Sequence, residues 1–202
     1  KVSNPHPEAV SHFVFSLNPG LTVTKVSVKG QETNVKRELN LIDFSGTKLE
    51  SGESADLEFT YNGGLIEASS YLDVDDKTLQ KAYQAFMFKI DKRSGVVSPE
   101  FVLLTRECNW YPIAGTSFGL KSKQWMQKQF SRFDISVKTK PGLTAISQGK
   151  PELKEGTYHF INKNNLPQVS LVIGNYTQKT DTIDGLEFNL YHHPNHDYFT
   201  KF

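Results

Sequence analysis

An alternation of apolar and polar residues with a period of two, cut by turn residues every 8–15 or so positions, constrains this chain most. In "SHFVFSL", Phe13, Phe15 and Leu17 fall on one face, while His12, Val14 and Ser16 fall on the other. Successive strand side chains point to opposite faces, so this stretch reads as a strand. Asn18-Pro19-Gly20 supplies turn chemistry, and Leu21 to Val28 resumes with β-branched residues until Lys29-Gly30-Gln31. "RELNLIDF" offers Leu39, Ile42 and Phe44 as a further strand face. After the turn at Ser51-Gly52, Ala55, Leu57, Phe59 and Tyr61 share one face of a half-buried strand that closes at Gly63-Gly64.

The second half repeats the pattern. "SPEFVLLTRECNWYP" holds an apolar run suited to a buried strand and stops at the breakers Pro112 and Gly115. Phe133, Ile135 and Val137 alternate, "PGLTAISQGKP" reads as turn, strand, turn, and Tyr158 and Phe160 share a face. "QVSLVIGNYTQ" is rich in Val, Ile and Tyr, and Leu186, Phe188 and Leu190 alternate near the end. One stretch differs. Leu79, Ala82, Tyr83, Phe86 and Ile90 lie at helical spacing behind Asp75 or Asp76 as a cap, although "AFMFKI" also alternates. Roughly ten strands result, so the expected fold is all-β: a β-sandwich, or saddle-like antiparallel sheets, with at most one short helix. The chain reads as one domain over 1–202, with possible sub-layers 1–112 and 113–202, and both its ends look excised from something larger.

Bulk properties exclude several function classes. The 202 residues carry a net charge of +1, so no global field draws the chain to nucleic acid or to an anionic membrane. The expected partners include no nucleic acid. With Cys108 alone, an intrachain disulfide and a cysteine-based zinc site are both impossible. No run of about 18 apolar residues is present, so any membrane attachment is expected only through segments outside these residues.

Four constellations invite a chemical reading. "YHHPNH" packs His192, His193 and His196 into six residues, and neutral imidazole suits zinc. His192 and His193 are adjacent and would point to opposite faces of a strand, so only one joins His196 easily beyond Pro194. No established ligand spacing is present, and a polar loop leaving the last strand is the plainer reading; the expected metal set within this chain is none. Cys108 has no histidine near it in sequence, which favours an inert buried thiol over a nucleophile. Gly142 and Gly149 enclose six residues and Pro151 follows Lys150, which rules out a phosphate-binding loop. Lys121, Lys123, Lys128 and Arg132 interleave with Phe118, Trp125 and Phe130, a pattern that fits either a stacking surface or, more simply, a solvated loop anchored by its aromatics.

The order of the elements resembles a known family. "LEFTYNGGLI" is similar to a strand end in the N-terminal β domain of zinc aminopeptidases of the aminopeptidase N family, the gluzincins. "LLTRECNWYP" resembles that domain's strand leading to an aromatic-Pro element. The stretch from Phe133 to Gln178 is similar to its second β layer, and "LEFNLYHHPNHDYF" resembles the link into the catalytic domain. The spellings "LNPGL", "LLT", "WYP", "SQG" and "IGNY" most resemble bacterial proteins in which the peptidase-like region is fused to ABC transporter permease segments.

The resemblance implies a non-catalytic N-terminal domain. It would pack on a zinc-binding catalytic domain outside these residues and help wall its cleft, with Trp110, Tyr111 and Pro112 at the interface. The family's His-Glu-x-x-His and Gly-x-Met-Glu-Asn motifs do not occur here, so zinc and catalysis are expected elsewhere, with a peptide as the substrate class. Many members supply a Gln or Glu ahead of the aromatic-Pro element to touch the substrate amine. Counting back lands near Leu103 and Leu104, and Glu107 is the one carboxylate inside the segment, closer than the pattern asks. A permease fusion would place the domain on the non-cytoplasmic, periplasmic side of a membrane, with the cytoplasm as the alternative. Two rival readings remain: a free-standing module gripping peptide or carbohydrate through Trp110 and Trp125, and an enzyme with its own zinc at His192, His193 or His196.

Overall fold

The computed structural model describes residues 1–66, 95–116 and 130–200, the last three of these by backbone alone. The helix expected over Asp75–Ile90 and the basic aromatic stretch around Trp125 lie outside the described residues. Among those described, helical structure is confined to short 3-10 turns at Arg106–Cys108 and Pro194–Thr200. Everything else regular is strand, so the chain is all-β, as the alternation demands.

The first half contributes β1 (Val2–Ser3), β2 (Val10–Ser16), β3 (Leu21–Val28), β4 (Gln31–Glu32), β5 (Lys36–Glu38), β6 (Leu41–Leu49), β7 (Ser54–Ala55) and β8 (Leu57–Gly63). The second contributes β9 (Gly95–Val97), β10 (Val102–Leu104), β11 (Ile113–Ala114), β12 (Asp134–Lys138), β13 (Thr144–Ser147), β14 (Pro151–Lys154), β15 (Thr157–Ile161), β16 (Leu171–Gly174), β17 (Thr177–Ile183) and β18 (Leu186–His192). They fall into two compact units. One joins Lys1–Gly95 to Thr105–Gln129, and the other joins Val96–Leu104 to Phe130–Phe202.

The first unit is a sandwich. One sheet runs β11-β2-β6-β5 and the other β4-β3-β8, with antiparallel pairings throughout. The alternating residues of β2 do what their spacing requires: Phe13, Phe15 and Leu17 are buried with Ile42, Phe44 and Leu49 of β6 and Val26 and Val28 of β3. Phe59 of β8 closes the layer, its ring centroid 5.0 Å from Phe15 and 6.0 Å from Phe44. Such tilted pairs add about 0.5–1.5 kcal/mol each to the area they bury. Arg37 on the edge strand β5 reaches over the end of β2. Its Nη2 donates to the carbonyls of Leu17 and Asn18 at 2.9 and 2.8 Å, and burial lowers its pKa.

The second unit has a sheet ordered β13-β16-β10-β9, a three-stranded sheet β12-β15-β14 and a two-stranded ribbon β17-β18. Val137, Ala145, Phe160, Val169 and Leu171 are its buried apolar residues. Tyr158 stacks beside Phe160 at 6.4 Å on the expected common face. β17 and β18 meet at a two-residue turn in which Asp184 and Gly185 have φ of 50° and 77°. Positive φ at both central positions matches the strand twist, and Asp-Gly is the cheapest sequence for it.

Two expectations need correction. Leu39 does not share the inward face of Ile42 and Phe44. It sits in the turn between β5 and β6 with φ of 50°, and 67 % of it is exposed. Just before this turn, Arg37 reaches the carbonyls of Leu17 and Asn18 beyond the end of β2. "QVSLVIGNYTQ" likewise divides, because Asn175 and Tyr176 separate β16 from β17.

Candidate functional site

Among the described residues, chemistry-bearing side chains gather in both units. In the first unit the segment Thr105–Gly115 leaves a 3-10 turn and enters the edge of the sandwich. Cys108 ends the turn, and Asn109 caps it in a left-handed conformation, its N–H donating to Arg106 O at 3.0 Å. Asparagine tolerates that conformation better than other residues with a Cβ. Trp110 and Tyr111 then pack edge to face at 5.0 Å, and Tyr61 Oη donates to Trp110 O at 3.2 Å. Past Pro112, β11 pairs with β2, matching Ile113 to Ser16 and Ala114 to Phe15. Ser16 Oγ donates to Gly115 O at 2.7 Å.

Asn18 holds this segment to the body of the unit. Its amide is fully buried. Nδ2 donates to Ile66 O at 3.0 Å and Cys108 O at 2.8 Å, while Oδ1 accepts from Gly20 N at 3.0 Å and Ile66 N at 2.9 Å. Its backbone N–H donates to Asn109 O at 2.7 Å. Sequence reading treated Asn18 only as a turn residue, since its partners lie 48 and 90 positions away. The side chains of Asn109 and Trp110 are less well served. Both amide atoms of Asn109, and Trp110 Nε1, are buried with no hydrogen-bond partner.

Cys108 is fully buried, and its Sγ donates to Thr105 O at 2.9 Å. Burial raises the thiol pKa, leaving it protonated at neutral pH. A nucleophile needs the opposite shift, so the inert reading of this cysteine stands. Glu107, Trp110, Tyr111 and Pro112 are all half-buried. The four sequence-predicted site residues follow one another along this segment, with Glu107 in the 3-10 turn before the aromatic-Pro element.

In the second unit a cleft of about 1000 Å³ is lined by Phe101, Leu143, Tyr176 and Tyr191, by Glu100, and by His192, His193 and His196. The histidines therefore do share one place. Their nitrogens are partly engaged: His192 Nδ1 lies 3.1 Å from His193 O, and Asn195 N donates to His193 Nδ1 at 3.3 Å. The His193 and His196 rings lie 5.5 Å apart. Among the described residues, no three His, Cys, Asp or Glu side chains are grouped to hold a metal ion. The arrangement is an open aromatic and imidazole cleft without a ligand set.

One pairing was not legible from sequence. Ser136 Oγ lies 2.9 Å from His159 Nδ1, and Glu152 stands opposite His159 on the next strand. The row crosses β12, β15 and β14 on an exposed face, and Lys154 engages Glu152 at 2.6 Å. Without a pocket or a donor pair for an oxyanion, this row has no means to stabilise a transition state.

No sequence-family model matches the chain, and no curated protein matches it by sequence. Solved structures do match. The M1 zinc metallopeptidase from Deinococcus radiodurans is similar with a TM-score of 0.61 and 15 % identity, over 91 % of this chain and 39 % of that one. A mutant of that enzyme bound to a Tyr-Ser-Ala substrate gives the same score over 90 % of this chain. Legionella pneumophila aminopeptidase A in complex with aspartic acid matches with a TM-score of 0.56 and 11 % identity, over 92 % of this chain and 20 % of that one. At such identities the likeness is one of fold. It is the fold that the sequence resemblance implied, and the chain spans 39 % of the length of the Deinococcus enzyme.

Proposed function

We propose that this chain is the N-terminal β domain of a zinc aminopeptidase-like protein, non-catalytic by itself, which packs on a catalytic domain and helps wall its cleft. The observation that carries this reading is the fold: about nine-tenths of the chain matches part of a zinc metallopeptidase structure. Zinc, and the hydrolytic water it would activate, would belong to that catalytic domain, as the zinc metallopeptidase neighbours suggest.

On this reading Trp110, Tyr111 and Pro112 form part of the contact with that domain, and Glu107 offers its carboxylate to the amino end of a peptide. An ammonium group favours such a partner over any neutral one. A permease-fused parent would carry the domain on the periplasmic face of a membrane. Among the described residues no helix is long and apolar enough to cross one, so the anchor would come from other segments.

The decisive test is the gene. Its reading frame beyond Phe202 should encode His-Glu-x-x-His with a downstream Glu. The longer product should bind one zinc and release amino-terminal residues from peptides, while residues 1–202 alone do neither. In that product Glu107→Gln should raise KM for peptides with a free amino end and leave blocked peptides unaffected. A stop codon directly after Phe202 removes the proposal.

A second reading rests on the imidazole and aromatic cleft, which suits a peptide or carbohydrate. Saturable binding of either by residues 1–202, lost in Tyr176→Ala, would favour a free-standing module.

A further inference from the structure

The cleft of the second unit is walled by three aromatic rings on fixed supports. Phe101 stands just before β10, Tyr176 between β16 and β17, and Tyr191 on β18. Phe101 and Glu100 belong to a turn pinned by three bonds. Ser98 N donates to Phe101 O at 2.8 Å, Ser98 Oγ to the same oxygen at 3.0 Å, and Phe101 N to Ser98 Oγ at 3.0 Å. The Tyr176 ring lies so close on Gly174 that a Cβ there would stand 2.8 Å from Cε2 and 3.1 Å from Cζ. Tyr191 is held in register opposite Gln178. Walls set before a ligand arrives lose less to ordering when it binds.

Charge then selects the ligand. Among the lining residues described, Glu100 is the one Asp, Glu, Lys or Arg, and the histidines count as neutral at pH 7. The faces of aromatic rings are themselves negative. The cleft thus offers an anion no permanent charge and offers a cation both a carboxylate and π faces. Two imidazole nitrogens are already engaged within the chain, since His192 Nδ1 lies 3.1 Å from His193 O and His193 Nδ1 accepts from Asn195 N at 3.3 Å. A cation whose charge is spread over methyl groups suits ring faces best. Leu143 and Leu190 add apolar wall, and the volume of about 1000 Å³ exceeds what a bare trimethylammonium head fills. The ligand therefore carries an apolar body as well as a charged head.

We propose that this cleft binds a small organic cation, an alkylammonium whose head meets Glu100 and the rings of Phe101, Tyr176 and Tyr191, and whose apolar body lies against Leu143 and Leu190. All of these residues belong to the second unit, so the assignment does not rest on the peptidase reading. It gives the cleft a ligand class different from the peptide or carbohydrate of the second reading.

Proton NMR of residues 1–202 with benzyltrimethylammonium, choline and neohexyl alcohol, the uncharged carbon counterpart of choline, tests it. Both cations should bind saturably, the benzyl compound more tightly. Their N-methyl protons should give Overhauser contacts to the ring protons of Tyr176 and Tyr191, while neohexyl alcohol does not bind over the same range. Tyr176→Leu should weaken benzyltrimethylammonium about tenfold, the loss of one good ring contact. Glu100→Gln should weaken it about threefold, because Glu100 is exposed and solvent screens its attraction. Equal binding of choline and neohexyl alcohol would make the cleft simply apolar and overturn the proposal. So would a failure of both cations to saturate, or affinity unchanged in both variants. Should Tyr176→Leu not fold, Glu100→Gln and the Overhauser contacts decide, and contacts to other rings alone refute the site. None of these outcomes alters the test at the gene, so the proposed function stands or falls separately.

Discussion

Replacing Asn18 by alanine deletes a buried amide that makes four side-chain hydrogen bonds to described residues and joins three separate stretches of the first unit. The bonds to Cys108 O, Ile66 O, Ile66 N and Gly20 N are all lost. A typical bond contributes about 0.5–1.5 kcal/mol net, and a buried group left unpaired costs about 1–3 kcal/mol. Cys108 O is the acceptor in the one fully buried bond, whereas water reaches the partly exposed Ile66 and Gly20. The sum is therefore about 2–4 kcal/mol for Asn18→Ala, a large share of the roughly 5–15 kcal/mol that stabilises a domain. With a urea m-value of about 2 kcal/mol/M, the midpoint should fall by about 1–2 M at unchanged slope.

Asn18→Asp sharpens the test. It keeps the acceptor for Gly20 N and Ile66 N but aims a carboxylate at two carbonyls in a dry site, which raises its folded pKa. A raised folded pKa gives stability that is present below the unfolded value, about 3.9, and lost as pH rises through the folded one. Asn18→Asp should thus be least stable near pH 7 and recover on acidification toward pH 4, by at most about 1.4 kcal/mol per pH unit. A midpoint shift under about 0.3 M for Asn18→Ala, where about 1–2 M is expected, would refute the reasoning. So would an Asn18→Asp variant whose stability relative to the parent does not change with pH.

Further outcomes follow from the same geometry. Cys108 should resist a disulfide-exchange reagent at neutral pH and react at once when urea unfolds the unit. Because burial raises its pKa, its contribution holds below the unfolded value and is lost as pH climbs through the folded one, so alkali should expose it. Gly95→Ala should cost about 1–3 kcal/mol in urea titration, since its Cβ would stand 2.9 Å from Cys108 Cβ and 3.0 Å from Sγ. The Lys29 ammonium, hydrogen-bonded to Glu53, lowers the pKa of that carboxylate. Its stability is present above the unfolded pKa and disappears as pH falls through the folded one, so Glu53→Gln should flatten the acid limb of a stability–pH curve. Phe44→Ala, which empties the stack against Phe15 and Phe59, should lower stability by about 3–5 kcal/mol in the same titration.

The strands were legible because burial on one face imposes a period of two. Leu21 to Val28 was read from sequence with the limits the structure shows, and Phe13, Phe15 and Leu17 are buried as their spacing demands. Leu39 misled because an apolar residue in a tight turn carries the same letter as one in a core. The ribbon was read correctly as strand, but alternation says which residues share a face and not which way the face looks. Leu186, Phe188 and Leu190 alternate as read, yet all three are exposed. The four site residues named from sequence fall on one short segment, since their proximity is local. The brace at Asn18 and the Ser136–His159 contact were beyond reach, because each depends on partners brought together only by the complete fold. The shared cleft of the histidines was half visible. Their crowding is written in "YHHPNH", while Tyr176 and Phe101 arrive from other strands.

The pairing of β11 with β2 has a consequence for biosynthesis. Residues 113 and 114 hydrogen-bond to residues 16 and 15, and the first unit resumes at Thr105 after Val96–Leu104 has been lent to the second. As the polypeptide emerges from the ribosome, the sandwich therefore waits with the flank of β2 bare for some hundred residues after that strand is made. A product released prematurely at Gly95 would keep that flank open, ready to recruit a strand from a neighbour. Premature release, more than any point change in the interior, should send this protein into aggregates.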